Sequence, residues 1–148
     1  MSVFTDVERW GNNHRPGFLD IFRIALGLFI TYKGMYFIAH MGELEMTTSG
    51  INLWFAGAAL AHYIIFAHLL GGPLIVLGLF TRIVSLIQLP ILVGAVIMVN
   101  YPKGFLSLGR YMELEISLIV LLGLIVLMIF GAGYYSIDAK RRKEIQVL

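Results

Sequence analysis

Six side chains could make one polar, titratable cluster inside this otherwise apolar chain: Lys33, Tyr36, His62, Tyr63, His68 and Glu115. Imidazole, ammonium and carboxylate groups together can relay protons and hydrogen-bond a polar ligand near neutral pH. A second set, Asp20, Arg23, Arg82 and Asp138, reads as structural ion pairs, since intramembrane charges commonly pair with each other. Asp20 and Arg23 are three residues apart and so share a helical face. There is no cysteine, which excludes disulfides, thiolate nucleophiles and thiolate-bound metal within the chain. No metal-ligand motif is present. His62 and His68 are six residues apart, about 240° around a helix, so they cannot ligate one haem from the same face, and no motif supports haem.

These groups stand in four long apolar runs, at about 17–40, 54–80, 83–99 and 111–135. A run of about 20 apolar residues crosses a hydrocarbon core of about 30 Å. The chain is 59% hydrophobic and 14% charged, with a mean hydropathy of +0.85, far from a soluble domain. The expected fold is all-α, an integral membrane four-helix bundle occupying residues 1–148 as one domain. Four spans leave no room in 148 residues for a separate catalytic domain, so any site lies in the bundle or its loops. The amino terminus lacks the pattern of a cleaved signal peptide, so the first span is expected to remain in the mature protein.

Arg9 and Arg15 precede the first run, Arg82 separates the second from the third, and Lys140, Arg141, Arg142 and Lys143 follow the fourth. The stretch from Met41 to Leu53 carries Glu43 and Glu45 and no Lys or Arg. The positive-inside bias therefore puts both termini in the cytoplasm. The net charge of +2 gives no reason to expect nucleic acid; a basic tail beside a bilayer holds topology and touches anionic lipid.

Pro16 and Gly17 suit the start of the first run, Gly42 its end, residues 47–52 a polar surface turn, and residues 100–104 a turn on the outer side. Gly71, Gly72, Pro73 and Pro90 lie within runs, where small residues permit close packing and neighbouring helices repair a proline kink. Gly27 and Gly34 are a heptad apart, on roughly one face. With the amino terminus inside, Lys33 lies about 10 Å from the outer end of its span at 1.5 Å per residue, and His62 at a similar depth. His68 falls near the middle, and Glu113 and Glu115 open the fourth run from the outer side. Lys33 with Glu115 would form the ion pair of an outward-opening pocket; Glu113 points about 200° away from Glu115.

Three segments carry a family resemblance. Phe22-Arg23-Ile24-Ala25-Leu26-Gly27-Leu28-Phe29, followed by Lys33-Gly34, resembles the opening RxxLGxxF…G of the DoxX family. His68 to Arg82, HLLGGPLIVLGLFTR, resembles its E-L-x-G-G-x-L-L-x-L-G-L-x-T-R segment. Gly131 to Asp138, GAGYYSID, is similar to its closing G-x-G-x-x-S-L-D, and a Glu at 113 or 115 fits as well. The family usually has an acidic residue where this chain has His68, a group that can still donate or accept a proton near neutrality.

The resemblance implies a multi-pass protein of the bacterial inner membrane. Relatives of this kind include the membrane subunit of a thiosulfate:quinone oxidoreductase and a component of a complex protecting against oxidative and thiol stress. One expectation is a redox-associated, quinone-linked subunit whose outer pocket binds the headgroup through Lys33, His62, His68 and Glu115, with Tyr36 and Tyr63 covering the ring. The alternative is a non-catalytic scaffold that docks membrane or periplasmic subunits, or a homodimer, through residues 41–53 and the basic tail. A third reading is transport of a small solute through the pocket. No motif assigns a reaction to the chain itself.

Overall fold

A computed structural model describes residues 3–50, 56–100 and 113–147. All regular elements among them are helical: α1 (Val3–Asn13), α2 (Leu19–Ala39), α3 (Met41–Ser49), α4 (Ala56–Leu77), α5 (Thr81–Gly94), α6 (Glu113–Phe130) and α7 (Ile137–Val147). Helix α5 widens into a π-helical turn over Ala95–Asn100. Helices α2 and α4 are each long and apolar enough to cross a membrane, while the apolar stretches Thr81–Ile97 and Leu114–Phe130 are shorter.

The distribution of side chains is reversed relative to a water-soluble bundle. Ile21, Leu28, Met35, Phe66, Leu70, Ile119 and Leu122 face outward, whereas Arg23, Thr81, Ser85 and Gln88 are fully enclosed. A surface of that kind is at equilibrium with hydrocarbon, where outward Leu and Ile gain nothing by turning in. The core between the helices is formed by Leu19, Leu26, Ile30, Ile75, Val84, Leu92, Val120, Leu124 and Leu127.

Helices α2 and α4 form the main antiparallel pair. Gly27 lies against Gly72 and Val76, Gly34 against His68 and Leu69, and further along Gly57 lies against Ser49 of α3. A Cβ on Gly27 would stand 2.8 Å from the Gly72 carbonyl oxygen, so only hydrogen allows this approach. Small-residue contacts replace the hydrophobic drive that lipid removes. Helix α5 packs between α4 and α6, and α6 touches α2 where Gly123 meets Phe22 and Leu26. Pro73 and Pro90 lie inside continuous helices.

Several boundaries differ from the sequence expectation. The second apolar run ends at Leu77, and residues 78–80 form a tight bend with positive φ at Gly78 and Phe80, 67° and 50°. Helix α5 therefore begins at Thr81, two residues earlier than the run suggested. The fourth helix stops at Phe130, not near 135, because Gly131 and Gly133 take φ of 76° and 84°. Residues 41–49 are helical rather than a loop: Gly42 lies within α3, and the break falls at His40. Residues 50–52 were part of the expected polar turn, of which 51 and 52 lie outside the described residues, as do Trp54, residues 101–104 and Tyr111.

Candidate functional site

Polar groups converge at the end of the molecule where α2 and α5 begin and α4 and α6 finish. Asp20, in the first turn of α2, accepts the backbone N–H groups of Tyr134 and Tyr135, both at 3.0 Å. Its other neighbour is the Arg23 guanidinium, at 3.6 Å. Arg23 is 2% exposed and donates to the carbonyls of Ala132 at 2.7 Å and Tyr135 at 3.0 Å. One turn of α2 thus satisfies four backbone groups of a segment more than a hundred residues away.

That segment, residues 131–136, needs this grip because it leaves helical geometry inside a buried setting, where each unpaired amide or carbonyl would cost about 1–3 kcal/mol. Gly133 has a left-handed φ, and a Cβ there would stand 2.5 Å from Asp20 Oδ1. Ser136 closes the turn, donating to the Gly133 carbonyl and accepting the Ala139 N–H at 3.1 Å, which caps α7. Two residues on, the Asp138 carboxylate reaches across to the start of α5, accepting Phe80 N–H at 2.9 Å and Thr81 N–H at 3.0 Å. The negative charge faces the positive end of the α5 dipole. The Asp138 N–H returns a bond to the Gly78 carbonyl at 3.0 Å.

A DoxX family model matches residues 18–101, more than half of the chain. The chain belongs to the DoxX family. Comparison with curated proteins and with solved structures gives no significant match. In this DoxX chain the residues that carry the resemblance coincide with the clasp just described: Arg23 from the first segment, Gly78 and Thr81 from the second, and Gly131, Gly133, Ser136 and Asp138 from the third. The closing segment lies beyond the matched range, yet its backbone hangs on Asp20 and Arg23 within it. Arg82 donates to the Ile129 carbonyl at 3.0 Å and to Asn12 Oδ1 at 3.1 Å, while the Asp138 carboxylate accepts the backbone amides of Phe80 and Thr81.

The outer-layer candidates are only partly gathered. His68 is 6% exposed, points toward α2, and sets its ring edge-on to Phe37 with centroids 5.3 Å apart. Its Nδ1 bonds the Ile64 carbonyl at 2.8 Å, so Nδ1 holds the proton and Nε2 is an acceptor. Lys33, half-buried on the facing turn of α2, lies near enough for its charge to act on His68, and its Nζ stands 5.6 Å from the Tyr36 ring centroid. Tyr36 in turn stacks on His40 at 4.1 Å.

His62 and Tyr63 are exposed on α4, on other faces from His68, and His62 Nδ1 bonds the Ala58 carbonyl at 2.7 Å. Glu115 is half-buried in the first turn of α6, the end remote from the Gly123 contact with α2. His68, Lys33, Tyr36 and Phe37 are the group the fold assembles. Because α2 and α4 run antiparallel with Gly34 against His68, that histidine shares the level of Lys33 and does not lie deeper. No cluster of three metal-ligating side chains occurs among the described residues.

Sequence reasoning did not single out Asn12 or Phe80, and gave Arg15 and Arg142 only a topological part. Nothing local to Asn12 marks it; its partners come from residues 3, 70 and 130 positions away. For Gly133 the Gly-x-Gly spacing was the available signal, since two glycines so close often announce left-handed backbone.

Proposed function

We propose that this DoxX-family chain is a four-span subunit of the bacterial inner membrane with both termini in the cytoplasm, and that the layer around His68 takes up a quinone headgroup in a redox complex. The observation that carries the reading is the enclosed His68 ring, its Nδ1 committed to Ile64 and its Nε2 left as an acceptor, set against Gly34 of α2, the residue next to Lys33. Nε2 suits the hydroxyl of a quinol, and Lys33 suits the carbonyl of a quinone. When a quinol is oxidised to the quinone it gives up two protons and two electrons: one proton would pass to His68 Nε2, the other to solvent, and both electrons to a partner subunit. Phe37 and Tyr36 supply the apolar and aromatic walls that a ring requires. Supporting the topology, α5 and its π-helical continuation make 14 and 6 residues, together 20, enough for a span. Arg15, Arg82 and Arg142 gather at one end, while Glu43 lies at the other.

The test is quinone analysis by mass spectrometry of gently purified protein. Near-stoichiometric quinone in the unaltered chain, lost in His68→Leu, is the expected result. A quinone-free chain, or full retention in His68→Leu, overturns it. A second reading, a scaffold for other subunits, is favoured by α3, which extends beyond α2 and exposes Glu43 and Met46. A partner that co-purifies equally with a quinone-free chain would establish that reading instead.

A further inference from the structure

One face of α5 is polar where it is most enclosed. Thr81, Ser85 and Gln88, each 0% exposed, fall within about 60° of one another around the helix axis. The Gln88 amide lies over Gly71 of α4 and leaves no room there for a Cβ, so this face is turned toward α4. Gln88 Nε2 donates to the Ala67 carbonyl at 3.3 Å, which leaves Oε1 as an acceptor. That Oε1, Thr81 Oγ1 and Ser85 Oγ are all buried with no hydrogen-bond partner. Other helical hydroxyls of the chain find one a turn back: Thr31 donates to the Gly27 carbonyl and Thr47 to that of Glu43, each at 2.8 Å. Ser85 does not take the corresponding carbonyl of Thr81. Three orphaned oxygens in one row are costly unless something small and polar lies among them.

We propose that this row holds a file of ordered water, and that the file gives the middle of the bundle proton access to the inner side of the membrane. A buried water makes about three hydrogen bonds, as donor and as acceptor, and the row offers two hydroxyls of both kinds and one amide acceptor. The file starts at the clasp, where the Thr81 N–H is held by the half-buried Asp138 carboxylate. It climbs seven residues, about 10 Å at 1.5 Å per residue, and ends at Gln88, beside the turn of α4 that bears His68. Leu92, next on the same face, is apolar and 7% exposed, and closes it. The path is therefore blind-ended: protons reach mid-depth without a leak across the bilayer. Each hop forms one O–H bond and breaks another, so it needs no co-reactant. The inference rests on the proposed topology for which side is inner, and does not depend on the quinone reading.

Nuclear magnetic resonance of the detergent-purified chain labelled with 15N-glutamine would test it, since Gln88 and Gln146 are its two glutamines. The Gln88 side-chain amide, assigned with Gln146→Glu, should show cross-peaks to water and exchange with deuterium within minutes despite its enclosure. Ser85→Ala should slow that exchange about fivefold to tenfold, the water occupancy lost with one hydrogen bond, while Leu86→Ala on the outward face should not. In thermal unfolding, Thr81→Val and Ser85→Ala should each lower the melting temperature by about 2–4 °C, because a hydrated hydroxyl stabilises. An unaltered chain whose Gln88 amide shows no contact with water, or exchanges as slowly as the core backbone, would overturn the proposal. So would melting temperatures unchanged or raised in both variants, the behaviour of unpaired hydroxyls in a dry contact.

Discussion

Replacing Asp20 by alanine should detach the segment that follows α6. The carboxylate accepts two backbone N–H groups at 3.0 Å and stands 3.6 Å from Arg23, which is itself enclosed. Hydrogen bonds to a charged acceptor contribute about 1.5–3 kcal/mol each, so even the lower value gives about 3 kcal/mol for the two amides. Arg23 retains its two carbonyl partners but loses its counter-charge, and breaking a buried pair costs about 3–5 kcal/mol in total. Because the two figures count overlapping interactions, about 3–4 kcal/mol is expected, a large share of a typical stability of about 5–15 kcal/mol. For a chain of this size that corresponds to a drop in melting temperature of roughly 6–16 °C, at about 2–4 °C per kcal/mol. Asp20→Asn keeps one acceptor but turns an amide donor toward the other N–H, so it should lie between the two. The assay is unfolding in mild detergent micelles, followed by circular dichroism, with the exposed Tyr134 and Tyr135 as a fluorescence reporter of the local segment. A loss below about 1 kcal/mol for Asp20→Ala would refute the argument, because bonds of the stated kind cannot be worth so little when both amides lose their partner.

Gly133→Ala should destabilise by at least about 1–2 kcal/mol from the left-handed φ alone, with more from the contact against Asp20 Oδ1. Combined with Asp20→Ala it should be less than additive, as one alteration removes the other's clash, and a double-mutant cycle in the same unfolding assay checks this. Asp138→Ala should cost about 2 kcal/mol by uncapping α5 and should speed amide exchange at Phe80 and Thr81, measurable by hydrogen exchange with mass spectrometry. Gly27→Val should push α2 from α4 at the backbone contact with Gly72 and Val76, costing about 1–3 kcal/mol, as read from melting in detergent.

Much of the architecture was legible in the residues because helix, span and packing face are local properties. A long apolar run needs no distant partner to become a helix in lipid, since all its backbone bonds close within the run. The three-residue spacing of Asp20 and Arg23 likewise puts them on one face before any folding, and they stand 3.6 Å apart. Boundaries were less legible: hydropathy continues through residues 131–135 and 78–80, but the glycines there take left-handed backbone and stop the helices. In the outer layer, depth counted along each span placed His68 too far in, because only the α2–α4 contact at Gly34 sets the relative height of the two helices.

The sequence by itself thus determined an all-helical, apolar chain of the DoxX family, with its close-packing glycines and its charges near the helix ends. Which partners those charges meet was decided by tertiary structure alone. Asp20 with the Tyr134 and Tyr135 amides, Asp138 with the start of α5, and Asn12 with Arg82 and Arg142 are contacts across tens to more than a hundred residues. No local spacing encodes them. They arise because buried backbone groups at the helix ends must find partners, and the helix packing determines which side chains are within reach.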